Sequence, residues 1–343
     1  MTTSESADDR VAMRLDEVDA LVRRALTRHG ADEPNAAAVA RTITAAERDV
    51  CESHGLFRLP GYVASLKSGK VRGDARPCLS RPAPAVIGVD AGGGFAPLAL
   101  AEGHEPLVAL ARETGIAALA IRDVYHFAAL WPEVEAIAEA GLVGFACTAA
   151  TPMVAPAGGT RPFYGTNPIA FGCPRRAASP MVFDQASAAM ARGDVMIHAR
   201  DGQRVPEGVG IGPDGEPTTD PEAVLAGAQL AFGGYKGASI AMMVEILAGA
   251  VVGEAFSFQA GERGPRDGGP PVGGEFLLAI DPGRFGHGTD WIDRAETFFQ
   301  ALLAQPGTRL PGARRHEVRA HSLARGVRIR RPLHETCTAL ANA

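Results

Sequence analysis

The tripeptide Ser53-His54-Gly55, with Arg58 a few residues further on, directly follows a stretch with helical periodicity. Histidine donates or accepts a proton near neutral pH, and the planar guanidinium group of arginine matches the two oxygens of a carboxylate. A lone histidine is more often a structural residue, but the neighbouring Ser53 and Arg58 favour a role in catalysis here. This combination predicts proton transfer to a small carboxylic acid.

Two further segments place polar residues after apolar stretches. His126 follows a predicted strand that ends near Val124, and ligands of open α/β sheets lie at such strand-to-helix junctions. Residues 184–194 consist mostly of small residues, which allow a ligand to approach the backbone. They end in Arg192 and Asp194, which taken alone are more commonly a solvated surface pair. A functional role for that pair therefore depends on the residues around it.

Two segments have features of phosphate-binding sites. The glycine-rich stretch 233–237 leads into a predicted helix, whose first N–H groups can bind a phosphate with help from Lys236. Arg309, Arg314 and Arg315 bring three guanidinium groups together, which suits phosphates and suits a solvated surface equally. Turns and surface positions remain the alternative interpretation of both segments.

Two other motifs are interpreted as structural. Residues 210–215 match the string GxGxxG, but Pro213 and the sequence after it predict a tight turn rather than the start of a helix. A dinucleotide would therefore bind without the usual Rossmann fingerprint. His334 and Cys337 form an isolated pair near the end of the sequence, so we predict no metal site.

Apolar periodicity predicts the elements that must position these residues. Two N-terminal helices are expected, the second of which ends at the Ser53-His54-Gly55 turn. From about residue 85, strands alternate with helices, which predicts an α/β core. The expected strands cover 116–121, 142–148, 181–183 and 276–280, and the expected helices cover 127–140, 221–226 and 238–252, the last as a buried core helix. A Gly/Pro-rich stretch, 261–274, is expected to be a mobile surface loop, and a final helix over 291–303 precedes a basic tail.

Composition excludes several classes of protein. The 343 residues exceed the usual size of a single core, which predicts two closely packed lobes. The net charge of −5, with basic residues scattered, argues against nucleic-acid and membrane-surface partners. The polar N-terminus lacks the pattern of a signal peptide, and no apolar stretch is long enough to cross a bilayer. The N-terminal pattern therefore predicts a cytoplasmic protein. Five cysteines without a CxxC pair are expected to be reduced packing residues.

Five motifs in this order resemble the malate/L-lactate dehydrogenase family, which is unrelated to the Rossmann dehydrogenases. They are Ser53-His54-Gly55 with Arg58 and Tyr62, Val154-Ala155-Pro156-Ala157-Gly158-Gly159, Gly165-Thr166-Asn167-Pro168, Pro217-Thr218-Thr219-Asp220-Pro221 and Gly233-Gly234-Tyr235-Lys236-Gly237. The resemblance implies an α/β fold: a non-Rossmann NADPH-binding domain with a mixed sheet, plus a mainly helical lobe built from both chain termini. We place the N-terminal lobe at 1–84, the cofactor-binding domain at 85–280 and a returning C-terminal segment at 281–343.

Within that family, the closest likeness is to the reductases of Δ1-piperideine-2-carboxylate and Δ1-pyrroline-2-carboxylate. It rests on residues 51–55, 125–130 and 183–194. Many relatives carry His-Phe-Gly and Ala-Thr-Ser where this chain has His126-Phe127-Ala128 and Ala186-Ser187-Ala188, and these departures argue against malate or lactate as substrate. The resemblance therefore implies a homodimeric enzyme that uses NADPH to reduce these cyclic imino acids to L-pipecolate and L-proline.

The resemblance also implies roles for individual residues. Ser53, His54 and Asp194 would be catalytic, with His54 as the proton donor, and the substrate would contact Arg58, Thr166, Arg192 and Gly193. The cofactor would contact His126, Phe127, Ala128, Ala129, Leu130, Asp184, Gln185, Ala186, Tyr235, Lys236, Thr308, Arg309, Leu310, Pro311, Gly312, Ala313 and Arg314.

Three alternatives remain open from the sequence. A malate- or lactate-type 2-hydroxy acid dehydrogenase would use the same residues, because a ketone oxygen and an imine nitrogen occupy the same place opposite His54. A Ser-His-Asp hydrolase using Ser53 is disfavoured, since the chain lacks a GxSxG elbow and adjacent residues are poorly placed as nucleophile and base. A catalytically inert binding protein is disfavoured because His54, Arg58 and Asp194 are all present.

Overall fold

The computed structural model describes residues 9–127, 129–262, 267–286 and 290–343. In chain order its helices and strands are β1 (Arg10–Met13), α1 (Leu15–Arg28), α2 (Glu33–Arg48), α3 (Leu59–Lys67), β2 (Cys78–Ala83), β3 (Val86–Phe95), α4 (Ala96–Thr114), β4 (Ile116–Tyr125), α5 (Trp131–Glu139), β5 (Val143–Thr148), β6 (Ile169–Cys173), β7 (Met181–Gln185), α6 (Arg192–Arg200), β8 (Gly210–Ile211), β9 (Pro217–Thr218), α7 (Pro221–Ala226), β10 (Ala228–Gln229), α8 (Tyr235–Val244), α9 (Ser257–Ala260), β11 (Glu275–Ile280), α10 (Trp291–Leu303), α11 (Ala313–Arg325), β12 (Val327–Arg330) and α12 (Arg331–Asn342). Two short 3-10 turns, Glu52–His54 and Leu56–Arg58, connect α2 to α3. A π-helical segment, Glu245–Val251, continues α8.

Both ends of the chain build one lobe, as predicted. Strand β1 pairs antiparallel with β12, and α1 packs against α2 and α12. The buried face of α1 is made by Val18, Leu21, Val22, Ala25 and Leu26, which recur at helical spacing. The two N-terminal helices expected from apolar periodicity are therefore confirmed, and the second of them ends just before the His54 turn.

A seven-stranded mixed sheet forms the centre of the α/β part, in the order β2-β3-β4-β11-β5-β6-β7. Among the described residues, β3 and β4 are parallel and the other neighbouring strands are antiparallel. Strand β11 is inserted between β4 and β5 although it is far from both in sequence. The mixed sheet confirms the predicted non-Rossmann architecture, because a Rossmann sheet is mostly parallel. The boundaries after residues 84 and 280 stay a prediction.

Two expected helices differ from the structure. The helix expected over 127–140 begins only at Trp131, because the carboxylate of Asp184 accepts the N–H groups of Leu130 (3.0 Å) and Trp131 (3.1 Å) and fixes the start there. The helix expected over 238–252 is half-exposed rather than fully buried. Its small residues pack on the core, whereas one face of α8 and the π-helical segment remains accessible to solvent.

The C-terminal region contains more structure than the sequence indicated. The helix expected over 291–303 is confirmed as α10, but it is not the final one, since α11, β12 and α12 follow. Helix α12 buries Cys337 and Ala341 in the terminal lobe, and its periodic apolar residues include Leu333 and Leu340. The supposed basic tail therefore completes the lobe that the N-terminus begins.

The remaining two loop interpretations have different outcomes. The GxGxxG string forms a hairpin turn between β8 and β9, with Gly215 at φ 85°, as the sequence predicted. Of the stretch 261–274, residues 263–266 lie outside the described residues. The interpretation as a surface loop is wrong for 267–274, where Val272 is buried and Asp267 accepts hydrogen bonds from Ser65 (3.0 Å) and Ser68 (2.8 Å). None of the helices formed by the described residues is long and apolar enough to span a membrane.

Candidate active site

The buried carboxylate of Glu47 stabilises the turn that follows α2. Glu47 accepts the N–H of Leu56 at 2.7 Å, and a Cβ atom on Gly55 would lie only 2.1 Å from the same Glu47 oxygen. A larger residue at position 55 would therefore displace the Glu47 carboxylate from this hydrogen bond. The turn directs Ser53 and His54 toward the interior, where the Ser53 Oγ lies 3.1 Å from the His54 Nδ1. Besides the contact of Ser53 at Nδ1, a hydrogen bond with the backbone of Phe127 holds the His54 ring at the cavity.

Arg58 folds back over the same turn. Its Nε donates to the Ser53 carbonyl oxygen at 2.7 Å, and its guanidinium group stacks over the ring of Phe127 at 4.6 Å. Gly193 packs against both residues, since an added Cβ would lie 2.7 Å from the Arg58 Nη2 and 2.7 Å from the Ser53 Cβ. The first turn of α6 and the His54 turn are thus in direct contact at a glycine.

Burial and neighbouring charges control the ionisation of these groups. Burial, followed by the charges of Arg58 and His126, lowers the pKa of His54 to about 3. Burial lowers the pKa of Arg58 to about 10, although the nearby Tyr62 and Asp194 oppose this. At neutral pH the site therefore holds a neutral imidazole beside a guanidinium cation.

One cavity of about 1430 Å³ brings half of the predicted site residues together. Its lining includes Ser53, His54, Arg58, His126, Phe127, Thr166, Asp184, Gln185, Ala186, Arg192, Gly193 and Asp194. These residues come from the 3-10 turns, the ends of β4 and β7, the loop before β6 and the start of α6. The cavity is large enough for a dinucleotide and a small acid together.

The other predicted cofactor contacts lie outside this lining. Ala129 and Leu130 are buried in the core, Ala128 lies outside the described residues, and Tyr235 and Lys236 are exposed at the start of α8. The stretch 308–314 also does not line the cavity, and its Leu310 packs against Cys173 and Phe299. Whether these residues contact a cofactor stays a prediction.

Arg315, which the sequence placed in the arginine cluster suited to phosphates, lines the cavity, whereas the predicted run of cofactor contacts ended at Arg314. Its guanidinium group lies 4.8 Å from the centroid of the Trp131 ring, and its charge acts on Asp184. Burial raises the pKa of Asp184 to about 6, although Arg315 opposes the shift. The sequence showed Arg315 within an arginine cluster, but only the phase of α11 tells which arginine faces the cavity.

A buried ionic network connects the cavity wall to α11. Arg319 donates from two nitrogens to Asp49 (2.8 and 2.7 Å) and from two to Glu135 (3.0 and 2.7 Å). Asp49 also accepts the indole N–H of Trp131 at 3.0 Å, and Trp131 meets the ring of His54 edge-on with centroids 6.2 Å apart. The hydrogen bonds from Arg319 and Arg48 outweigh burial and lower the pKa of Asp49 to about 2. Asp49 therefore stays ionised at neutral pH.

Comparison with known protein families matches residues 13–337 to malate/L-lactate dehydrogenase. The chain belongs to the malate/L-lactate dehydrogenase family. It is 50% identical to a Δ1-pyrroline-2-carboxylate reductase from Ancylobacter novellus, over 94% of this chain and 95% of that protein. It is 48% identical to a Δ1-pyrroline-2-carboxylate/Δ1-piperideine-2-carboxylate reductase from Pseudomonas aeruginosa, over 96% and 99%. A crystal structure of Δ1-piperideine-2-carboxylate reductase from Pseudomonas syringae matches with a TM-score of 0.91 and 42% identity, over 96% and 99%.

Membership of the malate/L-lactate dehydrogenase family, with reductases among the similar proteins, makes the chain an NAD(P)H-dependent oxidoreductase. It leaves the hydrolase interpretation without support. The cavity fits a nicotinamide dinucleotide, because one wall is made of the small residues Ala186, Ala188 and Ala189 and the guanidinium group of Arg315 lies at the lining.

Proposed function

We propose that this protein uses NADPH to reduce Δ1-piperideine-2-carboxylate to L-pipecolate and Δ1-pyrroline-2-carboxylate to L-proline. The names of the similar reductases support this substrate class. The observation that carries the proposal is the pairing of Arg58 and His54 in one cavity. Arg58 can then bind the substrate carboxylate while His54 lies beside the group that must gain a proton.

Arg58 is proposed to hold the substrate carboxylate. Within the described part of the chain, its hydrogen bonding to protein uses Nε, so both Nη groups can bind the two oxygens in parallel. Stacking on Phe127 fixes the plane of the guanidinium group, which in turn fixes the orientation of the bound acid.

His54 is proposed to give a proton from its imidazole ring to the substrate nitrogen. Its low pKa means that the proton is held weakly, which favours transfer, but the imidazolium is scarce in the empty site. A carboxylate bound to Arg58 offsets the guanidinium charge that lowers the pKa of His54. Substrate binding thus raises the population of the donor form, and Asp194, whose charge acts on Arg58, offsets the same guanidinium charge.

The cofactor is proposed to be NADPH. When bound, it supplies the hydride that reduces the carbon of the C=N bond. Arg315, the arginine of the 309–315 cluster that lines the cavity, is proposed to pair with its 2′-phosphate. The protein is further proposed to act in the cytoplasm, which is consistent with its five free thiols.

The functional unit is proposed to be a homodimer. The α8 and π-helical face exposes Met242, Met243, Ile246 and Val251 to solvent by 40–61%. Contiguous exposed apolar surface of this kind marks a protein interface. A second copy seated there would also cover the exposed Tyr235 at the start of α8.

A 2-hydroxy acid dehydrogenase is the second candidate, favoured by the family's own description. The deciding experiment follows NADPH absorbance with purified protein and offers Δ1-piperideine-2-carboxylate, Δ1-pyrroline-2-carboxylate, pyruvate and oxaloacetate in parallel at one pH. Oxidation with the cyclic imines alone supports the proposal, whereas preference for the open-chain keto acids would move the protein to the dehydrogenase branch.

A further inference from the structure

His126 lies between two buried carboxylates at the edge of the cavity. Its Nδ1 is 3.1 Å from an oxygen of Glu275, and its Nε2 is 3.7 Å from an oxygen of Glu133. The three residues come from the loop after β4, from the first turn of α5 and from the start of β11. Their side chains are only 4%, 0% and 8% exposed, in the order His126, Glu275 and Glu133.

The charges in this cluster do not balance if both carboxylates are ionised. Among the described residues, neither Glu133 nor Glu275 forms an ion pair with a lysine or arginine, and both Glu275 oxygens lack a hydrogen bond of good geometry. The titratable groups around the pair are His126, Asp184 at the end of β7 and Cys147 on β5, whose pKa the charge of Glu275 raises, and the charge of His126 acts in turn on His54. A second uncompensated negative charge at this depth is strongly unfavourable, so one further positive charge is needed.

We infer that Glu133 and Glu275 hold a proton between them, with Glu133 neutral and Glu275 charged, and that this triad positions His126 in the cavity wall. Glu275, with no exposed surface and the shorter contact to His126, is the carboxylate that pairs with the ring. Glu133 is next to Asp184, which already accepts the N–H groups at the start of α5. Glu133 therefore gains little from the helix terminus.

The directions of the pKa shifts of the two glutamates agree with this assignment. Burial, and then the charge of Glu275, raises the pKa of Glu133 well above its usual value. Burial alone would raise the pKa of Glu275 too, but the charge of His126 and the neighbouring Glu133 outweigh it and lower the pKa. Both ring nitrogens of His126 face carboxylates, so His126 is held as a fixed wall residue, and proton donation to a substrate is left to His54.

Replacement of each glutamate by glutamine tests where the proton lies. Glutamine copies the shape of a neutral glutamic acid but not the charge of a carboxylate. Glu275→Gln is therefore expected to raise the KM for NADPH at least fivefold more than Glu133→Gln does, with the imino acid KM unchanged by either. The reverse order would overturn the assignment. Glu139→Gln, exposed on the same helix, is the matched control and is expected to keep wild-type constants.

The effect on the KM rests on the proposed function, because it assumes that NADPH lies against His126, so a second measurement needs no substrate. Infrared difference spectra of wild type minus Glu133→Gln at pH 8.5 are expected to show a protonated carboxyl band. This pH is above the pKa values of Glu47, about 7, and Asp184, about 6. Absence of the band would overturn the inference even if the enzyme reduces imines.

The same three side chains could instead bind a divalent cation, since their ligand atoms lie within 4.8 Å of one another. Titration of the wild-type protein with Mn²⁺, followed by electron paramagnetic resonance, separates the two. The shared proton predicts no stoichiometric Mn²⁺ binding at this site. If the wild type binds Mn²⁺ and Glu275→Gln does not, the cluster holds a metal ion instead of a shared proton, and the inference is overturned.

Discussion

The carboxylate of Glu47 accepts the backbone N–H of Leu56 at 2.7 Å, across the Gly55 turn that presents His54 to the cavity. Burial raises the pKa of Glu47 to about 7, although this hydrogen bond opposes the shift. One buried carboxyl group thus supports the turn that carries the proposed proton donor, and it titrates close to physiological pH.

The stability of the protein is expected to reflect this titration. Because the pKa of Glu47 is raised in the folded state, its contribution is fully present below the unfolded value of about 4.5 and is lost as the pH rises through about 7. Glu47→Gln keeps an oxygen acceptor for Leu56 but cannot titrate. The Tm of Glu47→Gln minus the Tm of the wild type is therefore expected to increase by on the order of 3 °C from pH 5 to pH 8. A difference in Tm that does not change with pH would rule out this role.

His54→Ala is expected to lower kcat by about 10² to 10⁴ and to leave NADPH binding largely intact, because only the proton donor is removed. In the wild type, kcat is expected to fall as the pH rises through the pKa of His54 in the substrate complex, which lies above the value of about 3 in the empty site. Steady-state rates across pH 5 to 9 measure both effects. Unchanged turnover in the variant would exclude His54 from the mechanism.

Arg58→Lys is expected to raise the KM for the imino acid at least about tenfold, since an ammonium group cannot bind both carboxylate oxygens in parallel. The KM for NADPH should stay within about twofold of the wild-type value, which is the control for general damage to the cavity. Equal increases in both constants would point to loss of packing on Phe127 rather than loss of a carboxylate contact.

Arg315→Met is expected to raise the KM for NADPH by about tenfold and the KM for NADH by much less, because a charge-assisted contact to a 2′-phosphate is lost. Arg309→Met and Arg314→Met are the matched controls, since these arginines belong to the same cluster but do not line the cavity. If Arg309→Met or Arg314→Met produces the larger effect, the phosphate contact belongs to that residue.

Ile246→Glu is expected to convert a dimer into a monomer, because it places a charge on the exposed apolar face of the π-helical segment. Light scattering coupled to size-exclusion chromatography gives the mass directly. Leu323→Glu, a similar change at an exposed apolar residue on α11, should leave the mass unchanged. A wild-type protein that is monomeric at micromolar concentration would refute the dimer.

The sequence predicted the features that depend on local pattern. Apolar residues at helical spacing gave α1 and α2, and proline and glycine gave the turn at 210–215. The start of α5 could not be predicted because Asp184, which fixes it, is 53 residues from Trp131 in sequence. The contribution of Arg315 depends likewise on the packing of α11 against Trp131. Long-range contacts of this kind leave no periodic signal.

The hydrogen bonds from Arg319 to Asp49 join residues that are 270 positions apart in the chain. During synthesis the sheet strands and the His54 turn leave the ribosome long before α11 does. A nascent chain can therefore form the scaffold and still lack both Arg315 at the cavity and Arg319 behind it. We therefore expect the cavity wall to be completed last, when the C-terminal helices dock, so that a chain still being translated lacks the proposed phosphate contact.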